Sequence, residues 1–367
     1  MSGSFFLSFV RHVSIISPMK RITWVDIFKY FCIIAVMAEH APSLTGLTDA
    51  FNSPFYVSGF FFASGYLYTH RDGFAEFLKR KSRQLLIPWL FFSLFIIVTA
   101  RIFSFGEHDD LLTGIINNFL QIRLRGDEMW FVSALFTSFL FFYFVIKLYN
   151  NLKIDDKKKT ILFIAVGFVL SVFFYIYGET ALIGGKSNRL VWHLDYAPRG
   201  VFLMFLGYQM RHKWEKTFDS LNTLSRRLTI WAVLLAVVFV PQFTHHVFND
   251  ADWIIHHYVS SVIGIPAVVA LSKVVKENKY MIFVGRNTIT YYGFHGKFQS
   301  LLHAILCKVV GVPYMAICWS FMDSTKLLLE ATILSYVFAL VGSIVLIIPA
   351  FILEKYFPIL VGKKNNK

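Results

Sequence analysis

Lys29 and His40 stand eleven residues apart in KYFCIIAVMAEH, inside a stretch from Trp24 to Leu47 that reads as a membrane span. Ionisable groups within a span are costly and generally functional. On a helix that spacing is about 1100° of rotation, which leaves the two side chains within about 20° of one face and about 16 Å apart along the axis. Asp26, Ile33 and Val36 share the face. The span thus presents a polar seam, with a cation toward one end and an imidazole, which exchanges protons near neutral pH, toward the other. A purely structural reading pairs Asp26 with Lys29 at i,i+3, or lets Lys29 snorkel, and leaves His40 in the interfacial belt.

A second basic group, FLKRKSRQLLIPW, precedes the third span. Such clusters fix orientation or touch anionic lipid. Arg80 and Arg83 also fall at i,i+3 on one helical face just outside the membrane, a position suited to an anionic ligand. Glu39 adjoins His40 but points about 100° away, so it either polarises an acceptor or faces the interface. His295, in the ninth span, either lines a cavity or is a packed, hydrogen-bonded histidine, and Asn287 reads as a helix cap. The segment GGKSNRLVWHLDYAPRG carries Asp195 and Arg199 among aromatics, which suits sugar binding and an interfacial belt alike.

Several residues speak against other chemistries. The small residues Ser58, Gly59, Ser64 and Gly65 of VSGFFFASGYLY suit close helix packing rather than a nucleophilic serine, since no Gly-x-Ser-x-Gly elbow is present. Adjacent histidines at His245–His246 and His256–His257 point to different helix faces, and no metal site is expected. Cys32, Cys307 and Cys318 follow neither metal-ligand nor disulfide-framework spacing.

These side chains need a scaffold inside the bilayer, and the composition supplies one. The 367 residues are 56% hydrophobic and only 16% charged, with 41 phenylalanines, which marks an integral membrane protein. A net charge of +14 is not accompanied by a basic helix interleaved with aromatics, so no nucleic-acid partner is expected. Span-length windows give about ten helices near 24–45, 52–69, 85–103, 129–147, 160–178, 197–210, 228–244, 253–271, 287–307 and 327–352. The expectation is one all-α, polytopic membrane domain over 1–367, with a segment 1–21, a transmembrane core 22–355 and a tail 356–367. If the spans alternate, 26 of the 36 basic residues fall on the side of the amino terminus, which places both termini in the cytoplasm. The early run FFLSFV is too short to span and lacks a small-residue cleavage site, and Met19 is an alternative initiator. Buried ionisable residues also fit a transporter, against which stands the absence of paired, Gly/Pro-broken spans in two related halves.

The order of motifs resembles the membrane-bound acyltransferase family 3, especially its fucose-O-acetylase-like branch, which modifies bacterial surface polysaccharides. The matching residues are Lys29 and His40, then NSPFYVSGFFFASGYLY, RKSRQLLIPW, Trp130 and Phe131 in MWFVSALF, and GRNTITYYGFH from Gly285 to His295. The resemblance implies an enzyme of the bacterial inner membrane that takes acetyl from cytoplasmic acetyl-coenzyme A. The acceptor it implies is a hydroxyl of a glycan or its lipid-linked precursor. Lys29, Arg80 and Arg83 would then hold the coenzyme phosphates. His40 would act as general base or as an acetyl carrier, and Glu39, Asp195, Arg199 and His295 are candidates for the acceptor side.

Overall fold

The computed structural model describes residues 22–41, 48, 51–102, 110–123, 125, 129–183, 189–220, 225–234, 252–310 and 325–364. Among them the chain is helical throughout, with no strand. In chain order the helices are α1 (Thr23–Glu39), α2 (Tyr56–Tyr66), and α3 (Phe74–Lys81), which runs through a π turn at Ser82–Leu86 into α4 (Ile87–Ile102). Then come α5 (Leu111–Leu120), α6 (Trp130–Asn151), α7 (Asp156–Ile183), and α8 (Ala197–Gln209), which passes through a second π turn into α9 (Glu215–Asp219). The last are α10 (Asp252–Val274), α11 (Lys279–Arg286), α12 (Thr288–Val310), α13 (Thr325–Val345) and α14 (Ile347–Tyr356).

Among the described residues, four helical stretches are long and apolar enough to cross a membrane: Phe74–Ile102, Trp130–Asn151, Asp156–Gly178 and Thr332–Tyr356. Helix α7 shows what such a span looks like at the edge, with Ile161, Val166, Val169 and Phe173 all exposed. The predicted first span is different. Helix α1 is shorter, carries Asp26 and Lys29, and is buried along most of its length by protein rather than lipid. It packs against α2, α10, α11, α12 and α13, and so forms the axis of the bundle.

A break precedes one predicted span and a turn interrupts another. The sequence window 287–307 is preceded by a separate helix, α11, because Asn287 leaves helical geometry and its amide donates to the Phe283 carbonyl (3.0 Å) and Glu354 Oε2 (3.1 Å). Its side chain therefore competes with the backbone ladder, as short polar side chains do. Likewise, the window 327–352 divides into α13 and α14 around Leu346. The predicted span 228–244 and the pair His245–His246 lie largely or wholly outside the described residues, as do Cys318 and the side chains of His256 and His257. Cys32 and Cys307 are buried cysteines outside any disulfide.

Small residues set the closest helix contact. A Cβ on Gly65 of α2 would collide with the Met204 carbonyl of α8, and one on Gly207 of α8 with the Phe62 carbonyl of α2. In a membrane, where apolar surface gains little by leaving lipid, backbone approach of this kind is a main source of helix association. Gly207→Leu is expected to destabilise the folded protein by more than about 1–3 kcal/mol, the usual cost of overpacking. Thermal unfolding in detergent would check this, and an unchanged midpoint would mean the two helices separate freely.

Candidate active site

One face of α1 lines a cavity of about 310 Å³, and that face consists of Lys29, Ile33, Val36 and His40. The helical period calculated from the sequence therefore holds in three dimensions. The rest of the wall comes from α2 (Tyr56, Val57, Phe60, Ala63 and Ser64), from Leu67 just after it, and from Trp130, Phe131, Val132 and Leu135 of α6. Leu85 of the π turn, Arg123 and the start of α12 (Thr288, Ile289 and Tyr292) complete it. Among the described residues no carboxylate lines this cavity. Its two ends carry the ionisable groups, and its middle is apolar and aromatic.

At one end, Lys29 Nζ lies 3.0 Å from Asp26 Oδ1 while still facing the cavity. Asp26 is only 4% exposed, so the pair keeps a buried carboxylate compensated. The structural and functional readings of Lys29 thus coexist. Gly285 brings α11 against this turn of α1, since a Cβ there would overlap the Asp26 carbonyl. Beside it, Lys363 donates to Asn287 Oδ1 (2.7 Å) and pairs with Glu354 (2.7 Å), which Arg286 also approaches. Burial pushes the Lys363 ammonium down, against the attraction of Glu354.

At the other end, His40 follows the last residue of α1 and is the exposed residue of the stretch 22–41. Its Nδ1 lies 2.8 Å from the Val36 carbonyl. A carbonyl only accepts, so Nδ1 carries the proton and a neutral His40 keeps a lone pair on Nε2. His295 meets it edge to face, with ring centroids 4.7 Å apart. His295 repeats the arrangement: its Nδ1 donates to the Tyr292 carbonyl (2.5 Å), and its Nε2 is buried without a hydrogen-bond partner among the described residues. The fold therefore brings His295, from a helix distant in sequence, against His40, while Lys29 stands at the other end of the cavity.

The other candidates stand elsewhere. Arg80 pairs with Asp72 and leans on the Phe77 ring, while Arg83 sits in the π turn next to Leu85, and neither lines the cavity. Glu39 accepts from Asn52 Nδ2 (2.9 Å), and Asn52 in turn accepts from Tyr336 (2.6 Å). That chain clamps the end of α1, and none of its three residues lines the cavity. Asp195 faces Arg189 at 3.6 Å and accepts from the Leu190 amide. Its carboxyl is raised by burial and held back by that backbone contact and by Arg189. Arg199, 4% exposed, donates to Ser58 and lies against the rings of Tyr196 and Tyr258.

Sequence reasoning passed over Arg123. It lies in a connecting segment, not a span, and nothing in RLRGDEMW fixes its direction. In the fold its guanidinium covers the Trp130 ring at 4.2 Å and lines the cavity, and it lies within electrostatic reach of His40 and His193. His193 packs behind Trp130 and is pushed down to about 3 by burial, with Arg123 and Arg189 adding to the effect. Among the described residues, no group of three or more His, Cys, Asp or Glu side chains is arranged to hold a metal.

The stretches that converge on the cavity are those whose order distinguished the sequence: the Lys29–His40 seam, the Ser64 segment, the Leu85 turn, Trp130–Phe131 and Thr288–Tyr292. A family model described as an acyltransferase domain matches residues 22–352, nearly the whole chain. No curated protein and no solved structure matches the chain significantly. With that match and with helices apolar enough to cross a bilayer, the chain belongs to acyltransferase family 3 and is a multi-pass membrane acyltransferase.

Proposed function

We propose that the protein transfers an acetyl group from cytoplasmic acetyl-coenzyme A to a hydroxyl of a cell-surface polysaccharide or its lipid-linked precursor, from the inner membrane of a bacterium. The observation that carries this is one cavity with the Lys29 ammonium at one end and the base-competent imidazole of His40 at the other. An elongated donor with phosphates at its head and a thioester at its tip matches that polarity. Lys29 would meet the phosphates as a charge-assisted donor. Its end of the cavity is then the cytoplasmic one, as the distribution of basic residues also favours.

In this reading the acceptor hydroxyl attacks the thioester carbonyl carbon, and His40 Nε2 takes the hydroxyl proton as the new C–O bond forms. The tetrahedral oxyanion collapses, the C–S bond breaks, and the coenzyme thiolate recovers the proton from the imidazolium. The Val36 carbonyl holds the ring in the tautomer that this step needs. The test is transfer of radiolabel from acetyl-coenzyme A into envelope glycan by membranes containing the protein. Label that does not exceed the level in membranes lacking it would refute the proposal.

His295 supports the His40 ring from behind. An edge-to-face pair is worth about 0.5–1.5 kcal/mol, so His295→Ala is expected to lower kcat by roughly 3- to 10-fold. His295→Phe, which keeps an aromatic edge, should retain most of the rate. Equal loss in both variants would instead give the His295 nitrogen a direct part in the chemistry.

A further inference from the structure

We infer that Arg123 is the group that stabilises the oxyanion of the acyl-transfer step, an assignment that rests on the acyl-transfer reading above. Attack on a thioester places a full negative charge on the carbonyl oxygen, and preorganised donors at that point are commonly the largest contribution to catalysis. The base, His40, stands at one end of the cavity, so the charge develops there. Lys29 is about 16 Å away along α1, too far to serve. Among the described lining residues, Arg123 is the other permanent cation.

Three features suit it to the task. Its guanidinium is stacked on Trp130, which fixes the plane in which the N–H donors lie. The first turn of α6, with Trp130, Phe131 and Val132, forms the same wall, so the positive end of a 22-residue helix points into the same region. The segment that delivers Arg123 is also pinned. Gln121 adopts a left-handed conformation (φ 48°), and its buried amide donates to the Asn118 carbonyl (2.6 Å) and accepts from Ser133 of α6 (2.6 Å). A donor held this way needs little reorganisation when the charge appears, which is the condition for electrostatic catalysis.

The competing role for a cation here is recognition of an anionic acceptor, and kinetics separates the two. Purified wild type, Arg123→Ala, Arg123→Gln and Arg123→Lys would be assayed for acetyl transfer and, without acceptor, for hydrolysis of acetyl-coenzyme A by water. For an oxyanion donor, kcat is expected to fall about 10²- to 10³-fold in the Ala and Gln variants, the usual loss for one such donor. Hydrolysis should fall by a similar factor, Lys should recover part of the rate, and added guanidinium ion should partly rescue Arg123→Ala. A raised KM for acceptor with unchanged hydrolysis would overturn the assignment in favour of acceptor binding. Wild-type rates in the Ala variant would overturn it outright. Absence of transfer and hydrolysis in the wild type itself would instead remove the underlying acyl-transfer reading. Size-exclusion profiles and melting midpoints matching wild type confirm that the variants fold, and the guanidinium rescue reads the chemistry even if one is weakened.

Discussion

Replacing His40 with alanine is expected to lower acyl transfer by 10²- to 10⁴-fold, the range that a positioned general base contributes. The side chain is at the end of α1, exposed to the cavity, and among the described residues its hydrogen bond runs through Nδ1 to its own helix. Its removal should therefore leave the packing of α1 intact, since the buried side chains from Val25 to Ala38 are untouched. The measurement is single-turnover transfer from radiolabelled acetyl-coenzyme A, with thermal unfolding as the control for folding. Rapid quenching also distinguishes direct transfer from an acetyl-imidazole relay, because only the relay leaves label on His40 before acceptor is added. Undiminished transfer in His40→Ala would eliminate both routes.

Lys29→Ala is expected to raise the KM for acetyl-coenzyme A by roughly 10- to 100-fold, the equivalent of one charge-assisted hydrogen bond at about 1.5–3 kcal/mol. The variant has a second effect, because it strips the ion-pair partner from Asp26, whose side chain is 6% exposed. Breaking one side of a buried pair is costly, about 3–5 kcal/mol, whereas replacing both sides is often close to neutral. The two effects separate in the pair Lys29→Met and Asp26→Asn/Lys29→Met. The double variant should recover thermal stability but not donor affinity. Recovery of both would reduce Lys29 to a counter-ion, and Lys29→Arg, which keeps the charge, should bind the donor nearly as well as wild type.

The seam was legible in the sequence because a helix imposes its period regardless of its neighbours: Lys29, Ile33, Val36 and His40 fall on one face and line one cavity. The packing use of Gly65 was legible for a similar reason, as a small residue among aromatics leaves room only for a backbone. Arg80 and Arg83 were harder. Their i,i+3 spacing is real, but the π turn at Ser82–Leu86 changes the helical period there, and Leu85 rather than Arg80 or Arg83 lines the cavity. Pro88, which lacks an N–H for the Gln84 carbonyl, is the local cause. Arg123 was not legible at all. It belongs to a connection whose course is set by a left-handed Gln121 and a hydrogen bond to Ser133, contacts that have no period.

Composition and spacing by themselves determined that this is a helical membrane protein, that its first helix carries an aligned cation and imidazole, and which family its motifs resemble. These are one-dimensional properties: apolar length measures the bilayer, and the 3.6-residue turn fixes faces within one helix. Tertiary structure alone decided that α1 is a central axis buried by protein, that Asp26 neutralises Lys29 without withdrawing it from the cavity, and that His295 and Arg123 belong with His40. Those facts depend on how helices far apart in the chain approach one another. In a membrane that approach is governed by small-residue contacts and buried hydrogen bonds between side chains, which leave no regular signature along the chain.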